Sequence, residues 1–136
     1  MLVVSDTTPL TALLQIGRAD LLPLLFARIL IPPAVRDELL REHPTLPTWL
    51  ETRPPAAIQP SLAAAKLDPG ETQALALALE VHDDTVLLDE RLGRRVARAH
   101  GLRVTGLLGT LVLAKKRGHL AAVRPLIAEP TVSKIL

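Results

Sequence analysis

Cysteine is absent from the 136 residues of this chain, which excludes disulfide frameworks, thiolate nucleophiles and cysteine-ligated zinc. Aromatic residues are almost absent as well: there is no tyrosine, and Phe26 and Trp49 stand alone. Stacking of nucleobases on aromatic rings therefore has little to work with, and any grip on nucleic acid must lean on phosphates. No apolar run approaches the roughly 20 residues that span a bilayer. The first residues read as a strand rather than as a basic leader with a cleavage site, so a cytoplasmic location without membrane contact is expected. The four histidines, His43, His82, His100 and His119, are scattered without ligand spacing and read as caps or surface groups.

What is present is an alternation of strand-like and helix-like segments over one expected domain, residues 1–136. Leu2 to Ser5 is a short branched apolar run that ends on Asp6, and Pro9 then opens a helix whose apolar positions are Leu10, Leu13, Leu14 and Ile16, closed by Gly17. A second helix is expected from Asp20 as N-cap to Phe26, a strand over Arg28 to Ile31, and a helix from Pro33 to about Glu42 with Val35, Leu39 and Leu40 on its apolar side. Residues 43–60 are proline-rich; Thr48 to Glu51 suggests one helical turn, and Ala57 to Gln59 a short edge strand. Asp68, Pro69 and Glu71 have the form of a capping box ahead of an alanine-rich helix running to Val81. Strand Thr85 to Leu88, helix Arg91 to His100, strand Arg103 to Thr105, helix Leu107 to Arg117 and a last helix from about Leu120 complete the pattern. Such alternation predicts a mostly parallel sheet with helices on both faces.

Asp6 and Asp89 each follow a buried strand, at the sheet edge where open α/β folds keep their chemistry. Glu38 flanks the apolar stripe of its helix, while Asp37 points toward solvent. Each acid also has a structural explanation. Asp6 and Asp89 could each cap the helix that follows, Glu38 could be a surface acid, and Glu71 could be a capping-box residue. Were the four to converge without a counterion, each like-charge pair about 4 Å apart would cost roughly 4 kcal/mol at an effective dielectric of 20. A divalent cation removes that cost, and all-oxygen ligands suit Mg²⁺ or Mn²⁺. Arg91, Arg94, Arg95 and Arg98 crowd the segment after Asp89 and suit phosphate contact.

The ordered segments Val4 to Leu10, Ile31 to Leu39, Asp68 to Glu71 and Leu87 to Arg91 resemble the signature of PIN domains, and the likeness runs through Gly106 to Thr110 to the closing helices. The chain is most similar to the PIN-like group related to the toxins of VapBC toxin and antitoxin pairs. That resemblance implies a three-layer α/β/α fold with strand order 3-2-1-4-5. It implies a Mg²⁺- or Mn²⁺-dependent ribonuclease, often held by an antitoxin protein and often a homodimer. The family's four acids fall on Asp6, Glu38, Glu71 and Asp89, with Asp6, Asp89 and Glu71 holding metal and Glu38 orienting water or holding a second ion. Its small hydroxyl residue falls on Thr8, and Thr8, Arg91 and Arg95 are the expected substrate contacts. The chain departs from the toxin pattern at Glu71, where aspartate is usual, at Leu87, where threonine is usual, and at Arg91 to Arg95, where an aspartate-phenylalanine pair is usual. The alternative is a non-catalytic nucleic-acid-binding or regulatory module on the same fold. A dinucleotide-binding fold is excluded because Ser5 to Pro9 lacks the glycine fingerprint, and a haloacid dehalogenase phosphatase because Thr8 stands where its second acid belongs.

Overall fold

The computed structural model describes residues 2–82 and 85–136; Met1, Asp83 and Asp84, which the expected domain includes, lie outside the described residues. In chain order the elements are β1 (Leu2–Ser5), α1 (Thr7–Gln15), α2 (Leu21–Leu25), β2 (Arg28–Ile31), α3 (Pro33–Glu42), β3 (Leu50–Thr52) and α4 (Pro60–Ala63). There follow α5 (Pro69–Val81), β4 (Thr85–Leu87), α6 (Arg91–Ala99), β5 (Arg103–Thr105), α7 (Leu107–Lys116), α8 (Arg124–Ile127) and α9 (Pro130–Ser133). The strands form one parallel sheet of order β3-β2-β1-β4-β5. No described helix is long and apolar enough to cross a membrane.

The two-residue period of the strands divides their side chains between two cores. Val3, Ile29, Ile31 and Leu87 pack with Leu10 and Leu13 of α1, Leu21 and Leu22 of α2, Val35 and Leu39 of α3, and Leu107 and Leu111 of α7. Val4, Leu30, Val86 and Leu88 face the other way, against Leu62 of α4, Leu75 and Leu77 of α5, and Ala97 of α6. Strands buried on both faces read as continuous apolar runs, which is why the central strands carry no polar alternation. The chain order reverses between β1 and β4, so their carboxyl ends open the crevice in which α/β sheets place ligands.

Several boundaries differ from the sequence expectation. The edge strand is Leu50–Thr52, not Ala57–Gln59. Leu50 pairs with Ile29 and Thr52 with Ile31, and Arg28 grips Glu51 through two hydrogen bonds of 3.0 and 2.7 Å. Ala56 instead donates its N–H to the Glu80 carboxylate, at 2.9 and 2.8 Å, which ties that loop to α5 rather than to the sheet. Helix α1 begins two residues ahead of Pro9, which still falls in the first turn, where a missing N–H costs nothing. Asp20 has helical dihedrals and caps nothing with its side chain. The expected last helix is two single turns, α8 and α9, each opened by a proline at its start.

Candidate metal centre

Asp6 stands at the N-cap of α1 but makes no side-chain cap hydrogen bond there. The simple reading of the residue as a helix cap therefore fails. Its position is set by the sheet: the Asp6 N–H donates to the Leu87 carbonyl at 2.9 Å, carrying the β1–β4 ladder one residue past the strand. The residue is only 6% exposed. Burial lifts its carboxyl from the ordinary 3.8 to about 7, partly opposed by the Thr7 amide, with the negative charges of Asp68, Glu38 and Asp89 adding to the rise.

Glu71 lies in the first turn of α5 and is likewise 6% exposed. Only half of the capping box forms: Asp68 Oδ1 accepts from the Glu71 N–H at 2.8 Å, while Glu71 Oε2 is buried without any hydrogen-bond partner. An orphaned buried carboxylate oxygen costs on the order of 1–3 kcal/mol and calls for an explanation such as an ion. Burial first, then a hydrogen bond shared with the Asp68 carboxyl and the charges of Asp68, Asp6 and Glu90, raise Glu71 above the ordinary carboxylate range.

Gly70 is the hinge of this cluster. A Cβ at that position would meet Glu38 Oε1 at 2.6 Å, Asp6 Oδ1 at 3.3 Å and Asp68 Oδ1 at 3.5 Å, so three carboxylate oxygens, from the residue after β1, from α3 and from the N-cap of α5, surround one point. Gly93 gives the same clearance to Glu71, whose Oε2 lies 2.5 Å from the Cβ it lacks.

Asp89 does cap a helix, though not the one that follows it: both its oxygens accept from the Leu107 N–H, at 3.1 and 3.2 Å, at the start of α7. Burial raises its carboxyl even so, against the lowering effects of Leu107 and of the Arg94 charge. Arg94 donates its Nε to the Leu88 carbonyl at 3.1 Å, and its Nη2 crowds, together with Asp89 Oδ1, the space a Cβ on Gly106 would fill.

Asp6, Glu38, Glu71 and Asp89 thus share the carboxyl edge of the sheet, and Asp6 feels Glu38 and Asp89 directly. Asp68, read from sequence as a cap alone, joins them. Thr8 is exposed and lines, with Thr7, Glu38 and Arg41, a cavity of about 340 Å³, whereas Thr7 Oγ1 is the buried, unpartnered hydroxyl. Arg91 and Arg95 are exposed on α6, and Arg94 is the arginine drawn against Asp89. The phase of α6 carries that signal, since Gly93 and Ala97 are its buried face and Arg94 flanks them. His100 is used in packing, between the Val96 carbonyl and the Ser61 hydroxyl.

Among the described residues no three acidic or histidine side chains are posed to enclose an ion unaided. Mg²⁺ keeps several of its waters and binds through one or two carboxylates plus substrate phosphate, unlike ions held in all-protein cages. The all-oxygen donor set, the orphaned Glu71 Oε2 and the clearance at Gly70 suit such a hydrated hard cation.

A family described as PIN domain matches residues 2–132, and the chain belongs to that family, whose members are typically metal-dependent nucleases acting on nucleic acid. No curated protein matches the chain, and no solved structure does.

Proposed function

We propose that this PIN domain, taken as one unit over residues 1–136, is a Mg²⁺- or Mn²⁺-dependent ribonuclease that hydrolyses RNA phosphodiester bonds. The observation that carries the reading is the pair of buried acids, Asp6 and Glu71, that neither cap a helix with their side chains nor pair with a cation. Two acidic groups held in a dry crevice, with carboxyls raised by burial, are the mark of a site arranged for chemistry or for an ion. Asp6, Asp89 and Glu71 would hold the ion directly or through water, and Glu38, across Gly70 from Asp6, would orient water or a second ion. The ion, when bound, supplies Lewis acidity to water and to the phosphate. Arg94 answers to the substrate side of the same site, because its guanidinium is fixed by Leu88 and adjoins Asp89. Thr8, Arg91 and Arg95 line the approach as phosphate contacts.

The toxin branch of the family, a cytoplasmic setting, an antitoxin partner and a homodimer belong to the same proposal. Exposed Leu24, Ile58 and Leu92 offer apolar contact area for a partner. Trp49 is partly buried and packs against the core, so it adds little to that area.

The test is to incubate the purified protein with a pool of structured and unstructured RNAs, with and without Mn²⁺, beside Asp6→Asn and Asp89→Asn. Metal-dependent cleavage by wild type alone is the expected result. Intact RNA in every lane, with equal RNA binding by all three proteins, replaces the enzyme with a non-catalytic module.

A further inference from the structure

A second feature adjoins Asp89 at Gly106, whose missing Cβ leaves room for both Asp89 Oδ1 and Arg94 Nη2. Between α7 and the edge strand β5 runs a groove of about 440 Å³ whose lining carries two cations, Arg94 and Lys116, and no acid. Its apolar wall includes Val104, Leu108 and Val112, and the last two are 42% and 37% exposed. Leu108 and Val112 are four residues apart on α7 and so stand one above the other on one helical face. Gly109 keeps the floor low, since a Cβ there would press to 3.1 Å from the Thr105 methyl.

The cations differ in a useful way. Arg94 is pinned by its Nε to Leu88, which leaves its Nη groups at the end of the groove nearest Asp89. Lys116 lies at the last turn of α7, exposed, at the other end. A positively charged groove with an aliphatic wall matches a ligand that alternates anionic and flat apolar parts, which is the repeat of a single-stranded nucleic acid. A protein partner would need no guanidinium fixed against the carboxylate edge.

We propose that this groove is a nucleotide subsite: Arg94 and Lys116 hold backbone phosphates on one side of the bond to be cut, and the aliphatic wall receives a base between them. The assignment rests on the nuclease reading and names the path of the strand as it leaves the acidic cluster.

The test uses full-length Asp6→Asn, which keeps RNA intact, as the parent for Lys116→Ala and Leu108→Ala, with folding checked by melting. Fluorescence anisotropy is read with a labelled single-stranded oligouridylate and with an abasic ribose-phosphate chain of equal length, across a salt series. Lys116→Ala is expected to weaken binding about fivefold at low salt and to lower the log–log salt slope by about 0.7, the value for one phosphate contact on a single strand. The parent is expected to prefer the oligouridylate over the abasic chain, and Leu108→Ala to lose that preference. An effect in only one variant, or in neither, overturns the subsite while leaving the nuclease reading standing if wild type cleaves RNA. No binding by the parent overturns the subsite, and RNA left intact by wild type with Mn²⁺ overturns the nuclease reading as well. Unchanged RNA binding in both variants, with self-association of wild type that Leu108→Glu abolishes, gives the wall to a second copy and overturns the subsite.

Discussion

The Asp6 N–H and the Leu87 carbonyl meet at 2.9 Å across the junction of β1 and β4. The first acid of the site is therefore held by the sheet, in the crevice where strand order reverses, and not by the helix it precedes. Its carboxylate is left free for another partner. The same sheet contact places the acid out of water, at a cost that appears in its acidity.

Stability without metal should fall as pH rises. Asp6 ionises near 3.8 in the unfolded chain and near 7 in the fold, so between those values the unfolded state ionises first and gains the advantage. Below about 4 the penalty is absent, and above about 7 it is complete. One pKa unit corresponds to about 1.4 kcal/mol, which sets a ceiling of ~4 kcal/mol on the loss. Thermal melts in chelator from pH 4 to 8 should show this decline in wild type and a flatter profile in Asp6→Asn, which should be the more stable protein at pH 8.

Gly70→Ala separates folding from ion binding. Alanine suits a helix better than glycine by roughly 1 kcal/mol, and the atom it strikes first is Oε1 at the flexible end of Glu38. Denaturant unfolding should change by no more than about 1 kcal/mol. Mn²⁺ affinity should fall roughly tenfold as the methyl group displaces Glu38 from Asp6, a loss of about 1.4 kcal/mol.

Asp89 has two duties that two substitutions separate. Asn retains an oxygen for the Leu107 N–H, so Asp89→Asn should melt within about 0.5 kcal/mol of wild type while losing ion binding. Asp89→Ala also removes the cap of α7 and should cost about 1 kcal/mol more. Equal stability of the two variants would contradict the capping role.

How far the sequence carries depends on whether a residue's role is local. Val3 and Val4 are apolar in succession because they enter opposite cores. That run is legible as a central strand, and it delivers Asp6 to the sheet edge. The edge strand Leu50–Thr52 is not legible in this way, because three residues carry no period and their ladder is supplied by β2. Asp68 is concealed by a correct local reading: its Oδ1 does cap α5, and only the tertiary fold brings it beside Asp6. Glu71 shows the converse. The spacing of a capping box is the same whether the glutamate turns back to the cap or inward to the crevice, and here Oε2 turns inward. Arg94 was within reach, since the buried Gly93 and Ala97 mark the face of α6 that it adjoins.

The most direct measurement is a calorimetric titration of Mn²⁺ into wild type and Asp6→Asn at pH 6.5, repeated in buffers of different ionisation enthalpy. Because the Asp6 carboxyl sits near 7, a cation that draws it into the ionised state must release protons at this pH. Wild type should bind with a buffer-dependent heat, and Asp6→Asn should show no binding in the same concentration range. Equal binding by the two proteins, or a wild-type heat that does not vary with buffer, would contradict a cation site built on Asp6.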